Sequence, residues 1–272
     1  MLVDTGLALP GLPESLVDVE VARIAVTHFH PDHVGGAGPA AAATGAPVHQ
    51  GELDYAQCEQ VWGTEDWPSR IAQWFHENGV PVTIADDLHA EGEAARPLIR
   101  YAPNPHRVNE GDHVGAWEVI ATPGHADGHI CLLHDGVLVS GDHLLPDITP
   151  AVGLYPGGRP DPLGDYLRSL ERTIALAPTV ALPGHGDPIV DPVARAHELL
   201  AHHADRLDRT AAALGQGPRS GYDVSLALFD DDLPPSQRRF AVAETLSHLE
   251  HLVTIGRARK HESDGGFSYT GP

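Results

Sequence analysis

Long apolar runs are missing from this 272-residue chain. No segment approaches the ~18 consecutive apolar residues that cross a bilayer, so it reads as a soluble globular protein with no membrane partner. Cysteine is nearly absent too: Cys58 and Cys131 are the only two. That excludes a disulfide framework and leaves both as small buried hydrophobes in a reducing compartment. The opening "MLVDTGLALP" has no basic stretch leading into an apolar segment, so a secretory signal is not supported and a cytoplasmic location is expected. Basic side chains are scarce, 17 against 38 acidic ones, for a formal charge of −21. Such a field repels polyanions at long range and argues against a nucleic-acid partner. The length supports a full core, as one large domain or a large one with a small appendage.

Histidine, by contrast, is abundant, with 19 copies. Most are expected on the solvated surface, but "HFHPDH" at 28 to 33 is dense enough to demand a chemical reason. The Val, Ile and Ala of "VEVARIAVT" (19 to 27) predict a buried strand running into it, and strand ends are where sites are built. His28 and His30 are two apart, so in extended chain they point to the same side and can grip one ion together. Pro31 then bends the backbone, letting Asp32 and His33 aim at a second ion nearby. Imidazole with carboxylate suits zinc, and also iron or manganese. Downstream the same arrangement recurs three times, each an apolar strand, a tight turn and a donor. "VIATPGHADGH" supplies His125 after 117 to 122, "GVLVSGDHLLP" supplies Asp142 after 137 to 141, and "TVALPGHGDP" supplies His185 after 179 to 182. His129 and His143 stand beside these donors, placed either to orient them or to face substrate, or simply to lie in surface loops.

H-x-H-x-D-H, then T-P-G-H, S-G-D and P-G-H-G, in this order over roughly residues 1 to 200, resembles the motif set of the metallo-β-lactamase superfamily of hydrolases. The resemblance implies that His28, His30 and His125 bind one metal, that Asp32, His33 and His185 bind a second, and that Asp142 bridges them. "LVDTG" at 2 to 6 matches as well, and implies that Asp4 supports the ligand loop from behind. Two zinc ions per chain are the implied cofactor, with iron or manganese as alternatives. A hydroxide held between them would be the nucleophile, with Asp32 and Asp142 keeping it oriented. Relatives usually carry a β-hairpin ahead of the "DTG" strand, whereas only three residues precede Asp4 here. The N-terminal hairpin is therefore expected to be missing and the natural chain to start upstream of Met1.

The implied fold is α/β, a four-layer αβ/βα sandwich of two mixed sheets with helices outside, covering 1–214. Buried strands alternating with helical segments such as 161 to 177, with Asp161 as cap and Pro162 in the first turn, agree with it. Between His33 and His125, "GELDYAQCEQVW" and "DWPSRIAQWFHENGV" predict helices whose Trp62, Trp67, Trp74 and Phe75 pack on the sheet or line a pocket. After a further helix at 191 to 214, "GQGPRSG" reads as a linker. Residues 219–272 then resemble the small winged-helix-like α domain of the branch that includes β-lactamase-like protein 2. In it Ala241, Leu246, Leu249 and Val253 recur at helical spacing and are expected to face a core.

Two function classes follow. One is a hydrolase of a small-molecule thioester, ester or lactone, as in glyoxalase II-like relatives; the other is a single-stranded RNA endonuclease of the β-lactamase-like protein 2 type. The acidic charge favours the first. The presence of the appendage argues weakly for the second, although its six Lys and Arg against eight Asp and Glu in 219 to 272, with Glu244 and Glu250 on its long helix, favour a packing or substrate-capping role over RNA binding. Arg257, Arg259 and Lys260 form its one small basic patch. A sulfur dioxygenase or flavodiiron-like redox role ranks below both, since no flavin domain follows. The sequence leaves open the substrate, the metal and the oligomeric state.

Overall fold

The computed structural model describes residues 1–272 except 17, 231 and 264. The chain divides into two compact units, one of residues 1–64, 95–150 and 169–196, the other of 65–94, 151–168 and 197–272.

Among the described residues, the first unit holds two sheets. One has the order β1 (Leu2–Val3), β2 (Ile24–Val26), β3 (Val48–Gly51), β4 (His106–Val108), all parallel. Mixed pairing was expected in both sheets; here each strand returns by a crossover, as parallel neighbours must. These crossovers carry α1 (Leu12–Ser15), α2 (Pro31–Val34), α3 (Ala37–Thr44) and α4 (Glu52–Val61); the chain between β3 and β4 also forms α5 (Trp67–Glu77) and α6 (Val82–Ala95), which, Ala95 apart, belong to the second unit. The other sheet runs β5 (His113–Val114), β6 (Trp117–Ala121), β7 (Ile130–His134), β8 (Val137–Gly141), β9 (Val180–Pro183). It is antiparallel up to β8, and β9 joins β8 in parallel after a crossover through α7 (Pro162–Leu176).

The strand period of two sorts β2 between two cores. Ile24 and Val26 pack with Val34, Ala37, Ala40 and Cys58 on the helical side, while Ala25 packs with Val108, Val119, Ile130, Leu132 and Val139 between the sheets. A strand buried on both faces must be apolar throughout, which is why "IAV" reads as it does. This is the αβ/βα sandwich. The pairing register limits β2 to three residues, fewer than the nine of its apolar run.

In the second unit the main elements are the later part of α8 (Pro192–Ala213), α9 (Gly221–Leu228), α10 (Pro235–Thr254) and an antiparallel hairpin of β10 (Arg259–Ser263) with β11 (Gly266–Thr270). Ser220 and Asp223 cap α9 reciprocally, and Asp161 accepts the Gly164 N–H at 2.9 Å to start α7. Ala241, Leu246 and Leu249 are buried in α10. The stripe then continues through Leu252, fully buried, and Val253 is left half-exposed, because the contact follows i+3 steps here. Among the described residues no helix is long and apolar enough to cross a membrane.

Candidate metal centre

Every sequence-expected ligand lies where a strand or its turn ends. His28 follows β2 and is fully buried. His30 is the N-cap of α2 and Pro31 opens that helix, a position where a missing N–H is harmless. The single turn returns His33, 2 % exposed, beneath His28 with ring centroids 4.0 Å apart. Asp142 follows a register shift between Val139 and Gly141 at the end of β8, where Gly141 takes φ +47°. A Cβ on Gly141 would meet Thr27 Oγ1 and His129 Nε2, each at 2.8 Å, so only glycine turns the chain there. Gly184, just before His185, is under a similar constraint: its Cβ would lie 2.5 Å from Asp142 Oδ1.

These turns gather the donors into groups. Among the described residues, His28, His30 and His125, then His28, His33 and Asp142, then Asp32, His33 and His185 each bring one donor atom apiece within 4.8 Å of the others. His125 Nε2 stands 2.8 Å from His30 Nδ1 and 3.2 Å from His28 Nε2. Tetrahedral arms of about 2.0 Å would place ligand nitrogens roughly 3.3 Å apart, close to these separations. On the other side Asp32 Oδ2 lies 3.1 Å from His185 Nε2 and 3.7 Å from His33 Nε2. Asp142 stands between the groups, its Oδ2 3.6 Å from both His125 Nε2 and His185 Nε2. Its Oδ1 faces His33 Nε2 at 3.5 Å, and both atoms are buried without a hydrogen-bond partner. An orphaned ring nitrogen opposite an orphaned carboxylate oxygen fits a shared cation.

Protonation tells the same story. Burial, reinforced by the neighbouring imidazoles, holds His28 well below the ordinary histidine value, so it offers a lone pair. Burial also pulls on His33, but the facing Asp142 carboxylate and the bonded Asp4 carboxylate win and raise it to about 10. Burial pulls Asp142 the other way, yet His33 keeps its carboxyl far below the usual range. Without metal, the His33 proton is the cation these carboxylates require, and an ion would take its place.

Behind the donors, Asp4 is hydrogen-bonded to the residues of the ligand loop. Its Oδ2 accepts from His33 Nδ1 at 2.7 Å and from Thr27 Oγ1 at 2.8 Å, and its Oδ1 accepts the Thr27 N–H at 2.8 Å. Since the Thr27 proton goes to the carboxylate, its oxygen is left to accept from His28 Nδ1 at 3.0 Å. Both rings thereby turn their Nε2 lone pairs toward the metal groups. Asp4 holds φ +54°, a left-handed conformation that aspartate tolerates better than most residues.

Two supporting residues escaped the sequence reading. Asp54, fully buried on α4, accepts the Phe29 N–H at 2.8 Å and the Gln50 amide at 2.6 Å. Burial raises its carboxyl well above the usual range, against the pull of those two bonds. Trp62 donates its indole N–H to the Phe29 carbonyl at 2.9 Å. The peptide between two ligands is thus held at both polar ends by α4 and its cap residue. Nothing local marks either residue, since their partners lie 25 and 33 positions away. Of the two other histidines, His129 is buried beside Asp142, whereas His143 turns its Nε2 to Thr173 of α7 at 2.8 Å and burial lowers it to about 3. A cavity of about 380 Å³ opens beside the second group, lined among others by Asp4, Asp32, His33, Leu182 and Gly184.

Residues 1–185 match the sequence profile described as "Metallo-beta-lactamase superfamily". The chain belongs to that superfamily. As a metallo-beta-lactamase superfamily member it is a metal-dependent hydrolase, and residues 207–270 match the profile "Metallo-beta-lactamase-like, C-terminal domain". It is similar to the probable metallo-hydrolase YqjP of Bacillus subtilis, 30 % identical over 250 residues, 86 % of this chain and 75 % of that protein. The β-lactamase-like protein 2 homolog of Drosophila melanogaster is 26 % identical across 97 % of this chain and 81 % of its own. Hydroxyacylglutathione hydrolase of Xylella fastidiosa is 29 % identical over 65 % of this chain and half of its own length. Among solved structures, a metallo-beta-lactamase family protein from Thermus thermophilus superposes with a TM-score of 0.84 at 35 % identity, covering 99 % of this chain and 89 % of that one.

Proposed function

We propose that the chain hydrolyses a small-molecule thioester, ester or lactone at a pair of metal ions, zinc in the first instance. In this reading His28, His30 and His125 hold one ion, Asp32, His33 and His185 the other, and Asp142 lies between them. Bound there, the ions would supply Lewis acidity and a water made acidic enough to attack at neutral pH. The chain's own residues supply placement. Asp32, with half its side chain exposed, can accept a hydrogen bond from the attacking water and aim it, while buried Asp142 keeps the two groups of donors at a fixed separation. The cavity beside Asp32 and His33 has the size of a small-molecule pocket.

The choice of a small molecule over RNA rests on the C-terminal hairpin and its neighbours. Arg257 donates to Asp208 at 2.8 Å and Lys260 to Glu250 at 2.6 Å, so two of the three residues of the small basic patch are already ion-paired. Released counterions drive RNA binding only where cations are free to meet phosphates. An acylated thiol of the kind in the hydroxyacylglutathione hydrolase name is one candidate within this class. A reducing cytoplasm belongs to the same reading, as both cysteines are buried thiols. The decisive assay presents purified, metal-analysed protein with thioesters, lactones, simple esters and short single-stranded RNA. Turnover of one carbonyl class is expected; RNA cleavage with salt-sensitive binding that survives physiological salt would reverse the assignment.

A further inference from the structure

His129 is 1 % exposed, and both of its ring nitrogens are committed. The backbone N–H of Asp142 points at His129 Nε2 from 3.2 Å, so that nitrogen must carry a lone pair. The proton therefore sits on Nδ1, which lies 2.8 Å from Thr122 Oγ1. Thr122 is itself buried and held 3.2 Å from Cys131 Sγ. We infer that His129 is a positioning residue: an uncharged imidazole that accepts the Asp142 N–H and so fixes the backbone from which the central carboxylate projects.

Packing alone does not account for this geometry. A backbone N–H at the mouth of a strand normally finds a carbonyl, but the register shift between Val139 and Gly141 takes Asp142 out of the ladder. Gly141 then presses against the ring, with a Cβ there only 2.8 Å from Nε2, so the imidazole fills the space a ladder partner would occupy. The orphaned Asp142 N–H would otherwise be buried beside four imidazoles and unable to reach water. The same arrangement assigns Thr122 its purpose, because without an acceptor at Nδ1 the ring could take the other tautomer and turn an N–H toward an N–H.

The inference rests on the two-ion reading, and the test separates the two. Chelator-stripped wild type, His129→Leu and His129→Gln would be titrated with zinc chloride by calorimetry, with bound zinc counted by elemental analysis and folding followed by circular dichroism. Wild type is expected to take two ions. His129→Leu should lose roughly 10- to 100-fold in affinity for the more weakly held ion, the range seen when a group orienting a ligand is removed. His129→Gln, whose amide oxygen reaches about as far as Nε2, should recover most of it, and Thr122→Val should shift in the same direction as His129→Leu. Should the leucine variant fail to fold, His129→Asn replaces it, since its shorter amide cannot reach the Asp142 N–H. Two ions bound with wild-type affinity by the leucine or asparagine variant would overturn the inference. So would folded glutamine and leucine variants that bind equally poorly, because shape and not the acceptor would then set the site. A folded wild type that binds no zinc would instead refute the two-ion reading and the inference with it.

Discussion

Replacing Asp4 by asparagine changes one atom and inverts two hydrogen bonds, those of Oδ2 with the Thr27 hydroxyl and with His33 Nδ1. The carboxylate accepts three bonds, from the Thr27 N–H, the Thr27 hydroxyl and His33 Nδ1. An amide can keep its oxygen on the buried Thr27 N–H, which leaves its NH₂ facing His33 Nδ1. Two donors cannot share that 2.7 Å contact, so His33 must move its proton to Nε2, the atom that faces Asp142 and the second group of donors. A protonated Nε2 is no ligand. Asp4→Asn should therefore weaken the ion at Asp32, His33 and His185 by roughly 10- to 100-fold, or about 1.4–2.7 kcal/mol, and, because the same NH₂ faces the Thr27 hydroxyl that accepts from His28 Nδ1, should weaken the ion at His28, His30 and His125 as well. The metal-free variant should also lose about 1–3 kcal/mol of stability from the hydrogen bond and charge removed. Zinc titration of the stripped protein reads both affinities, and urea unfolding reads the stability. Two ions held as tightly as in wild type would show that the ring's tautomer is set by something other than Asp4.

Gly184→Ala should abolish the second ion even though it adds a single methyl, since that methyl would stand 2.5 Å from Asp142 Oδ1 and 2.7 Å from His33 Cε1; elemental analysis should find about one zinc against the two expected of wild type. His33→Ala should likewise leave one ion per chain, held by His28, His30 and His125. Trp62→Phe removes the bond to the Phe29 carbonyl and should reduce stability by about 1 kcal/mol in urea, with kcat falling more than the modest loss of stability explains. In the second unit, burial lowers His203 to about 3 and His248 to about 4, with His203 Nδ1 and His248 Nε2 3.2 Å apart. Both are neutral in the folded chain, and the unfolded chain binds protons first as pH falls. Stability is then complete above about pH 6.5 and lost from there down to the folded values, by roughly 2 kcal/mol per imidazole at pH 5. Urea unfolding at pH 7 and pH 5 measures the slope, and a double replacement by leucine should flatten it.

The donor set was legible because each ligand sits in a turn that closes an apolar strand, so that periodicity gives the strand and the turn residues give the donor. Asp161 at the start of α7 was readable for the same local reason. Apart from Asp4 and His129, what supports the donors was not. Asp54 looks like an ordinary acidic residue in the first turn of a helix, and only a contact across 25 positions reveals it as a buried carboxylate on the ligand loop. Trp62 read as packing, which omits its indole bond. The basic residues near the C-terminus formed a patch in sequence but ion pairs in space, since Asp208 lies 49 positions from Arg257. Distances of this kind are set by the fold and leave no periodic trace.

The peptide of Phe29 has its N–H on Asp54 and its carbonyl on Trp62. Helix α4 and its cap residue therefore hold the backbone between His28 and His30 from both sides. A rocking of that helix by a fraction of an ångström would pull the backbone between His28 and His30 along with it and change the bite of the two rings on their ion. Substitutions along the outer face of α4, far from any donor atom, would then tune the Lewis acidity of the centre, giving selection a graded control over reactivity that leaves every ligand in place.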